Sequence, residues 1–398
     1  MDLTIYPGKL SGTIAAIPSK SQAHRLLICA AFSDKPTILY CSDTNQDIEA
    51  TASCLNQLGA KITRTADAYH VQPIKEIPSF AEIDCCESGS TLRFMLPIVC
   101  ALGIDTVIHM SGRLPYRPLS PMWEELERMG CVLTRPTEST IQPSGKLRSG
   151  EYTIAGNISS QFISGLLFAL SLLDGISCLT VTGTMESKPY IEMTQKALAA
   201  FGVDTSGFRI HPHKPLRTPG ELTVEGDWSN AAFFLAAAAL GNEITVGNLD
   251  ATSSQGDRVI VDILQLEQEM PTICAADIPD LVPIMAVYFA ANQGAVFTNI
   301  GRLRLKESDR VTSVIAMLNA LGIRAEADDT TMRVYGGQFT GGIVNSCNDH
   351  RIAMAAAIAA TVSSSPITIL DAECVAKSYP AFWTEYRRLG GNYEQYIR

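Results

Sequence analysis

Asn348-Asp349-His350-Arg351-Ile352-Ala353-Met354-Ala355-Ala356-Ala357-Ile358-Ala359-Ala360 places four polar residues directly before an apolar, alanine-rich run. Alanine favours helix, and here the charges are confined to one end of it. The same form returns at intervals near seventy residues. Its other openings are Pro18-Ser19-Lys20-Ser21, Glu87-Ser88-Gly89-Ser90, Ile158-Ser159-Ser160-Gln161, Gly226-Asp227-Trp228-Ser229 and Ile278-Pro279-Asp280, each running into an apolar stretch. Six units of one kind are implied. A second series of amphipathic helices ends in Leu58-Gly59-Ala60, Met129-Gly130-Cys131, Phe201-Gly202-Val203, Leu321-Gly322-Ile323 and Leu389-Gly390-Gly391, where glycine suits a helix C-cap.

Stacked repeats bury their apolar faces on one another and bring equivalent helix ends together. Six helix N-termini are therefore expected to converge, and such ends attract anions through exposed N–H groups and the helix dipole. Lys20, Arg25, Arg93, Arg310, Arg351 and Lys377 all read as lying in or near helix starts. Cations are normally placed at C-termini, so this excess calls for a ligand's negative charge.

Short alternating runs such as Tyr69-His70-Val71-Gln72, Glu151-Tyr152-Thr153-Ile154 and Leu179-Thr180-Val181-Thr182 read as strands between the helices. Each unit thus holds two helices and several strands, and the fold class is α/β in two halves with right-handed βαβ connections. The spacing contracts from Asp227 to Asp280, where Leu266-Glu267-Gln268 replaces the Leu-Gly ending, so the fourth unit is shortened. Passage between halves is expected near Ile17-Pro18 and Thr223-Val224. This gives domains of 18–223 and of 1–17 with 224–398.

At 398 residues, 46% hydrophobic, the chain exceeds the usual single-core size and has ample apolar material for two domains. A formal charge of −10 argues against a nucleic-acid or anionic-membrane surface while permitting a local cationic pocket. The partner expected is a small anionic molecule. Eleven cysteines without a CxxC pair read as reduced core residues. His211-x-His213 reads as loop rather than metal site, so no metal is expected. No signal peptide or membrane span is legible, and a cytoplasmic protein is expected.

Lys20-Ser21 with Arg25 sets two cations and a hydroxyl along the first turns of one helix, suiting phosphate or carboxylate; a solvated, serine-capped face is the alternative. Ser159-Ser160-Gln161 offers hydroxyls and an amide, although serine caps are common. Lys306-Glu307-Ser308-Asp309-Arg310 spaces two cations four apart, which helix salt bridging also accounts for. Lys377-Ser378-Tyr379-Pro380 is of the same type. Asp280, between Pro279 and an apolar helix, is a carboxylate whose partial desolvation would raise its pKa and suit a general base.

Pro18-Ser19-Lys20-Ser21 with Arg25, Ser159-Ser160-Gln161, Ser187-Lys188-Pro189-Tyr190, Lys306 to Arg310, Asn348 to Arg351 and Ala376-Lys377 together resemble the 3-phosphoshikimate 1-carboxyvinyltransferase (EPSP synthase) family of enolpyruvyl transferases. The likeness spans nearly the whole chain. It implies two domains of three βαβαββ units each, facing across a cleft that holds the active site. It implies transfer of the enolpyruvyl group of phosphoenolpyruvate to the 5-hydroxyl of 3-phosphoshikimate through a tetrahedral ketal, in the shikimate pathway to chorismate and the aromatic amino acids. By resemblance Lys20, Gly89, Arg117, Gln161, Arg310, Arg351 and Lys377 surround phosphoenolpyruvate. Ser21, Arg25, Ser159, Ser160, Ser187 and Lys306 hold 3-phosphoshikimate with Lys20, Gln161 and Asp280, and Arg93 adds to the cationic lining. Bidentate arginine pairing with phosphate and carboxylate is the physical reason for the guanidinium groups. Asp280 is the implied base, and Glu307, ahead of Lys20, the implied acid. No metal or organic cofactor is called for, and a monomer that closes on its first substrate is expected.

The chain departs from the family pattern in two places. Glu87-Ser88-Gly89-Ser90-Thr91-Leu92-Arg93-Phe94 replaces Asn-Ala-Gly-Thr followed by Met-Arg-Pro, in a pocket that glyphosate occupies in the family, and Arg302 stands where asparagine is common. The rival reading is the sister transferase acting on UDP-N-acetylglucosamine, which generally carries a reactive cysteine in a loop corresponding to Met110 to Ser120; none stands there. A nucleotide phosphotransferase lacks its GxxxxGK[ST] loop, since Gly8-Lys9 and Gly145-Lys146 have nothing of the remainder. A ring-like nucleic-acid clamp would need an extended basic surface that an acidic chain does not supply.

Overall fold

The structure, a computed structural model, describes residues 1–211 and 215–396. His213 of the His-x-His pair lies outside the described residues. The chain forms two compact units, one of residues 1–17 and 225–398 and one of 18–224.

The helices are α1 (Lys20–Ala31), α2 (Gln46–Gln57), α3 (Gly89–Leu102), α4 (Met122–Arg128), α5 (Ser160–Ser171), α6 (Lys188–Ala200), α7 (Trp228–Ala239), α8 (Ile260–Ile263), α9 (Val282–Ala290), α10 (Arg310–Ala320), α11 (His350–Ala359) and α12 (Phe382–Arg388). Odd-numbered helices open on the polar clusters. Ser19, Ser88, Ser159, Asp227 and Asp349 are the N-caps of α1, α3, α5, α7 and α11, each side chain accepting a backbone N–H of the first turn. The amphipathic even-numbered helices α2, α4, α6, α10 and α12 are followed by Gly59, Gly130, Gly202, Gly322 and Gly390, with φ of 106°, 117°, 81°, 84° and 98°. A β-carbon would be strained at these values, which is why glycine punctuates the repeat.

Four sheets show the complete repeat, one of them formed by Glu221–Thr223, Thr37–Tyr40, Ala68–Gln72 and Lys61–Arg64 in that spatial order. In 18–224, strands Phe80–Asp84, Asp105–His109, Thr140–Gly145 and Cys131–Thr137 are neighbours in that spatial order, the first pair parallel and the others antiparallel. The other unit repeats this with Thr272–Cys274, Ala295–Thr298, Thr331–Val334 and Ala325–Ala327. It does so again with Gly342–Asn345, Ile367–Leu370, Asp2–Tyr6 and Asn392–Tyr396, so the N-terminal strand completes the C-terminal sheet. Two first strands are exchanged where the chain passes between units. Glu221–Thr223 lies parallel to Thr37–Tyr40 and supplies the first strand for α1, while Ser11–Ala15 lies parallel to Glu243–Gly247 and does so for α7. The fourth repeat is short, as its spacing implied: Ser11–Ala15 and Glu243–Gly247 form a two-stranded sheet, and α8 has four residues.

Each unit has its own apolar core, around Phe94, Phe162 and Phe168 in one and Phe233, Phe234, Phe289 and Phe297 in the other. Every residue of α9 and of α11 is buried. Helices apolar on all sides must sit inside, so their polar groups can lie only at the ends.

Three expectations are corrected. Lys377 is the last residue of a 3-10 turn, Ala372–Lys377, not part of a helix start. Lys306 precedes α10 in extended conformation, so it and Arg310 are not a helical i,i+4 pair. The cysteines are free but not uniformly core: Cys86 and Cys274 are exposed, and Cys178 and Cys347 partly so. Among the described residues, no helix is long and apolar enough to cross a membrane.

Candidate active site

In the unit of 1–17 and 225–398, Arg310 organises the site. It is the first residue of α10, and its side chain has no exposure, which a cation sustains only when fully paired. Nε donates to Asp349 Oδ2 at 3.0 Å, Nη1 to Asp280 Oδ1 at 2.7 Å and Nη2 to Glu307 Oε2 at 2.6 Å. Burial opposes its charge, but Asp349, Glu307 and Asp280 outweigh burial and raise its pKa. Asp349 also accepts from Ser308 Oγ at 3.1 Å while capping α11, which ties the start of α10 to the start of α11.

Asp280 receives three cations. Besides Arg310 it accepts from Arg351 Nη2 at 3.2 Å and lies 3.5 Å from Lys306 Nζ. Burial works against its ionisation, yet Arg351, Lys306 and Arg310 prevail and hold its carboxyl well below the usual carboxylate range. This overturns the expectation of a raised pKa: desolvation was legible in the flanking apolar sequence, whereas the three cations come from 26 to 71 residues away. In Lys306 burial prevails instead. Burial takes it down to about 8, against the attraction of Asp280 and with Arg310 adding to the repulsion. Lys377 Nζ donates to the Asn348 carbonyl at 3.0 Å, beside the cap of α11. Asp280, Lys306, Glu307, Arg310, Arg351 and Lys377 are thus brought to one place.

Asp257 was missed. It is buried in the contracted repeat, and burial, with repulsion from Asp280, pushes its carboxyl up to about 6 despite the opposing Arg351 guanidinium. The Arg351 guanidinium also donates to the Ser229 carbonyl at 3.4 Å. Gln255-Gly256-Asp257 has no sequence signal beyond a loop.

The unit of 18–224 holds the other predicted residues in two groups at the starts of α1, α3 and α5. Lys20 Nζ pairs with Asp47 Oδ2 at 2.8 Å, both about 15% exposed. Asp47 lies in the first turn of α2, where an acid is unremarkable, so sequence gave no sign of it. Arg25 is buried and fully engaged: Nε donates to Thr194 Oγ1 at 2.8 Å, Nη2 to the Tyr190 carbonyl at 2.9 Å and Nη1 to the Ser21 carbonyl at 2.5 Å. Burial lowers its pKa to about 10. Lys20 and Arg25 share a helix, yet Lys20 reaches Asp47 on α2 while Arg25 reaches Tyr190 and Thr194 on α6. Ser187, buried and with φ of 54°, begins α6 beside the Tyr190 turn.

In the second group, Arg93 Nη1 donates to Gln161 Oε1 at 2.8 Å, and Gln161 Nε2 donates to Ser90 Oγ at 2.9 Å. The amide of Gln161 is therefore oriented from both ends. Ser159 caps α5 by accepting from Gln161 N at 3.3 Å, with Ser160 buried next to it. The Arg117 guanidinium lies against Gly89, its Nη1 2.5 Å from where a β-carbon would stand. Arg302, in the 3-10 turn Gly301–Leu305, acts on Lys306 as one more repelling charge.

Such an arrangement of cations can accommodate multiply charged anions. Guanidinium and ammonium groups supply fixed donors, and ionised Asp280 among three cations can accept a hydrogen bond from a hydroxyl. The sequence profile described as EPSP synthase (3-phosphoshikimate 1-carboxyvinyltransferase) matches residues 5–386. The 3-phosphoshikimate 1-carboxyvinyltransferase of Clostridium beijerinckii is 38% identical over 431 aligned residues, covering 99% of this chain and 99% of its own. That of Clostridium kluyveri is 37% identical, covering 99% of this chain and 98% of its own. Among solved structures, the EPSP synthase of Acinetobacter baumannii has a TM-score of 0.79 at 24% identity over 99% of this chain and 100% of that one. The enolpyruvyl transferase NikO of Streptomyces tendae has a TM-score of 0.74 at 17% identity, over 99% and 98% of the two chains. At these identities the two likenesses show the fold of this chain.

Proposed function

The chain belongs to the EPSP synthase (3-phosphoshikimate 1-carboxyvinyltransferase) family, and from that premise we propose that it joins the enolpyruvyl group of phosphoenolpyruvate to the 5-hydroxyl of 3-phosphoshikimate. The hydroxyl oxygen bonds to C2 of phosphoenolpyruvate as the methylene carbon takes a proton, giving a ketal. Loss of a methyl proton and of phosphate then restores the double bond.

The observation that carries this reading is Asp280, held between Lys306, Arg310 and Arg351. It is a weak base while those cations serve it alone. An incoming phosphate or carboxylate shares Arg310 and Arg351, adds negative charge nearby and raises the proton affinity of Asp280 toward what abstraction needs. Glu307, bonded to the Arg310 guanidinium, is the leading proton donor, with Lys20 the alternative. Lys20, Gly89, Arg117, Gln161, Arg310, Arg351 and Lys377 take phosphoenolpyruvate. Lys20, Ser21, Arg25, Ser159, Ser160, Gln161, Ser187, Asp280 and Lys306 take 3-phosphoshikimate. That the clusters of both units serve one reaction, between two facing domains, is part of the proposal. So are a monomeric state and a cytoplasmic location, in keeping with free cysteines and an acidic chain.

The test is phosphate release from phosphoenolpyruvate, with 3-phosphoshikimate and with UDP-N-acetylglucosamine as acceptors, for wild type, Asp280→Ala and Asp280→Asn. Release with 3-phosphoshikimate alone is expected, falling by about two to four orders of magnitude in both variants while their thermal transitions persist. Turnover with the UDP-sugar alone would overturn the reading.

A further inference from the structure

The turn carrying Arg117 is clasped by the segment that starts α3. Ser111 N donates to the Cys86 carbonyl at 2.8 Å. The Glu87 side chain lies over Gly112, whose φ is +56°, so closely that a β-carbon there would collide with Glu87 Cδ and Oε2. At the other end Arg93 Nη2 donates to the Pro118 carbonyl at 3.3 Å. Inside the turn, Leu114 N donates to the Ser111 carbonyl and Arg117 N to the Leu114 carbonyl, both at 3.1 Å. Displacement at Gly112 is therefore passed along bonded backbone to Arg117, whose guanidinium rests on Gly89.

We propose that Glu87 is a positioning residue: by packing its carboxyl group on Gly112 it fixes the 111–118 turn and so sets where the Arg117 guanidinium meets phosphoenolpyruvate. The proposal rests on the functional reading above, in which Arg117 takes that anion. Glu87 stands where the family pattern has asparagine, so this chain places a longer, acidic side chain two residues from Gly89. An ionised carboxylate facing an anion site would repel the ligand, and laying it on the turn removes that conflict. Only a residue without a β-carbon at 112 leaves room for it.

Steady-state kinetics and amide hydrogen exchange across 111–118, compared among wild type, Glu87→Ala, Glu87→Gln, Gly112→Ala and the Glu87→Ala/Gly112→Ala double variant, test this. Glu87→Ala is expected to raise KM for phosphoenolpyruvate about tenfold, with kcat and KM for 3-phosphoshikimate within about twofold, because pre-organised binding is what is lost. Exchange in the turn speeds up. Glu87→Gln, of the same shape, stays near wild type in both readouts. Gly112→Ala also raises that KM, and the double variant is less impaired than the product of the single effects, since removing the carboxyl group relieves the collision. An unchanged KM and unchanged exchange in Glu87→Ala, a loss confined to kcat, a Gln variant as impaired as Ala, or multiplicative single effects would each overturn the proposal. Exchange is read without substrate, so a chain that did not use phosphoenolpyruvate would still report whether Glu87 holds the turn.

Discussion

Lys306 lies 3.5 Å from Asp280, yet burial and the neighbouring Arg310 take its pKa down to about 8. Its charge is present below that value and lost above it. If Lys306 holds the acceptor's phosphate, kcat/KM for 3-phosphoshikimate falls as pH rises through about 8, because that ratio reports the free enzyme. Unfolding is not the cause: between about 8 and the ordinary lysine value the unfolded chain binds the extra proton, so this group's contribution to stability rises with pH there. In Lys306→Arg the alkaline limb is expected to move beyond pH ~9, arginine holding its proton far longer. A wild-type profile flat through that range would remove Lys306 from acceptor binding. The candidates Lys306, Glu307 and Arg310 were legible because charge is unusual beside long apolar runs. Their partners were not, since Asp349 lies 39 residues and Asp280 30 residues from Arg310.

Pro97 inside α3 has no N–H, so the Arg93 carbonyl lacks its intrahelical donor. That carbonyl lies against Gly165 of α5, where a β-carbon would collide with it and stand 3.0 Å from Pro97 Cγ. Gly165→Ala is expected to cost about 1 to 3 kcal/mol, measured as a shift in urea midpoint, because backbone rather than a flexible side chain must yield. It should also lower activity, since Arg93 orients Gln161. An alanine variant of unchanged stability would show that the two helices separate freely. Helix starts and stops could be read from serine and aspartate caps and from Leu-Gly endings, whose physics is confined to a few residues. The close approach of α3 and α5 could not, because a proline in one helix and a glycine in another acquire joint meaning only when packed.

Residues 18–224 form a continuous segment with its own apolar core and sheets, including the exchanged strand Glu221–Thr223. Produced alone, this segment is expected to unfold in one cooperative thermal transition with native-like near-ultraviolet dichroism. A gradual, featureless melt would show that its core depends on the remaining residues. The repeat, the helix ends, the shortened fourth unit and the residue types of the site were determined by the sequence alone, because periodicity, capping and side-chain chemistry act over a few residues. Only the tertiary structure decided that Ser11–Ala15 and Glu221–Thr223 exchange places, that Lys20 pairs with Asp47, that Asp257 is a buried acid and that Asp280 is held ionised rather than protonated. Strand partners and the balance of burial against distant charge depend on segments far apart in the chain, and no local pattern encodes their distances.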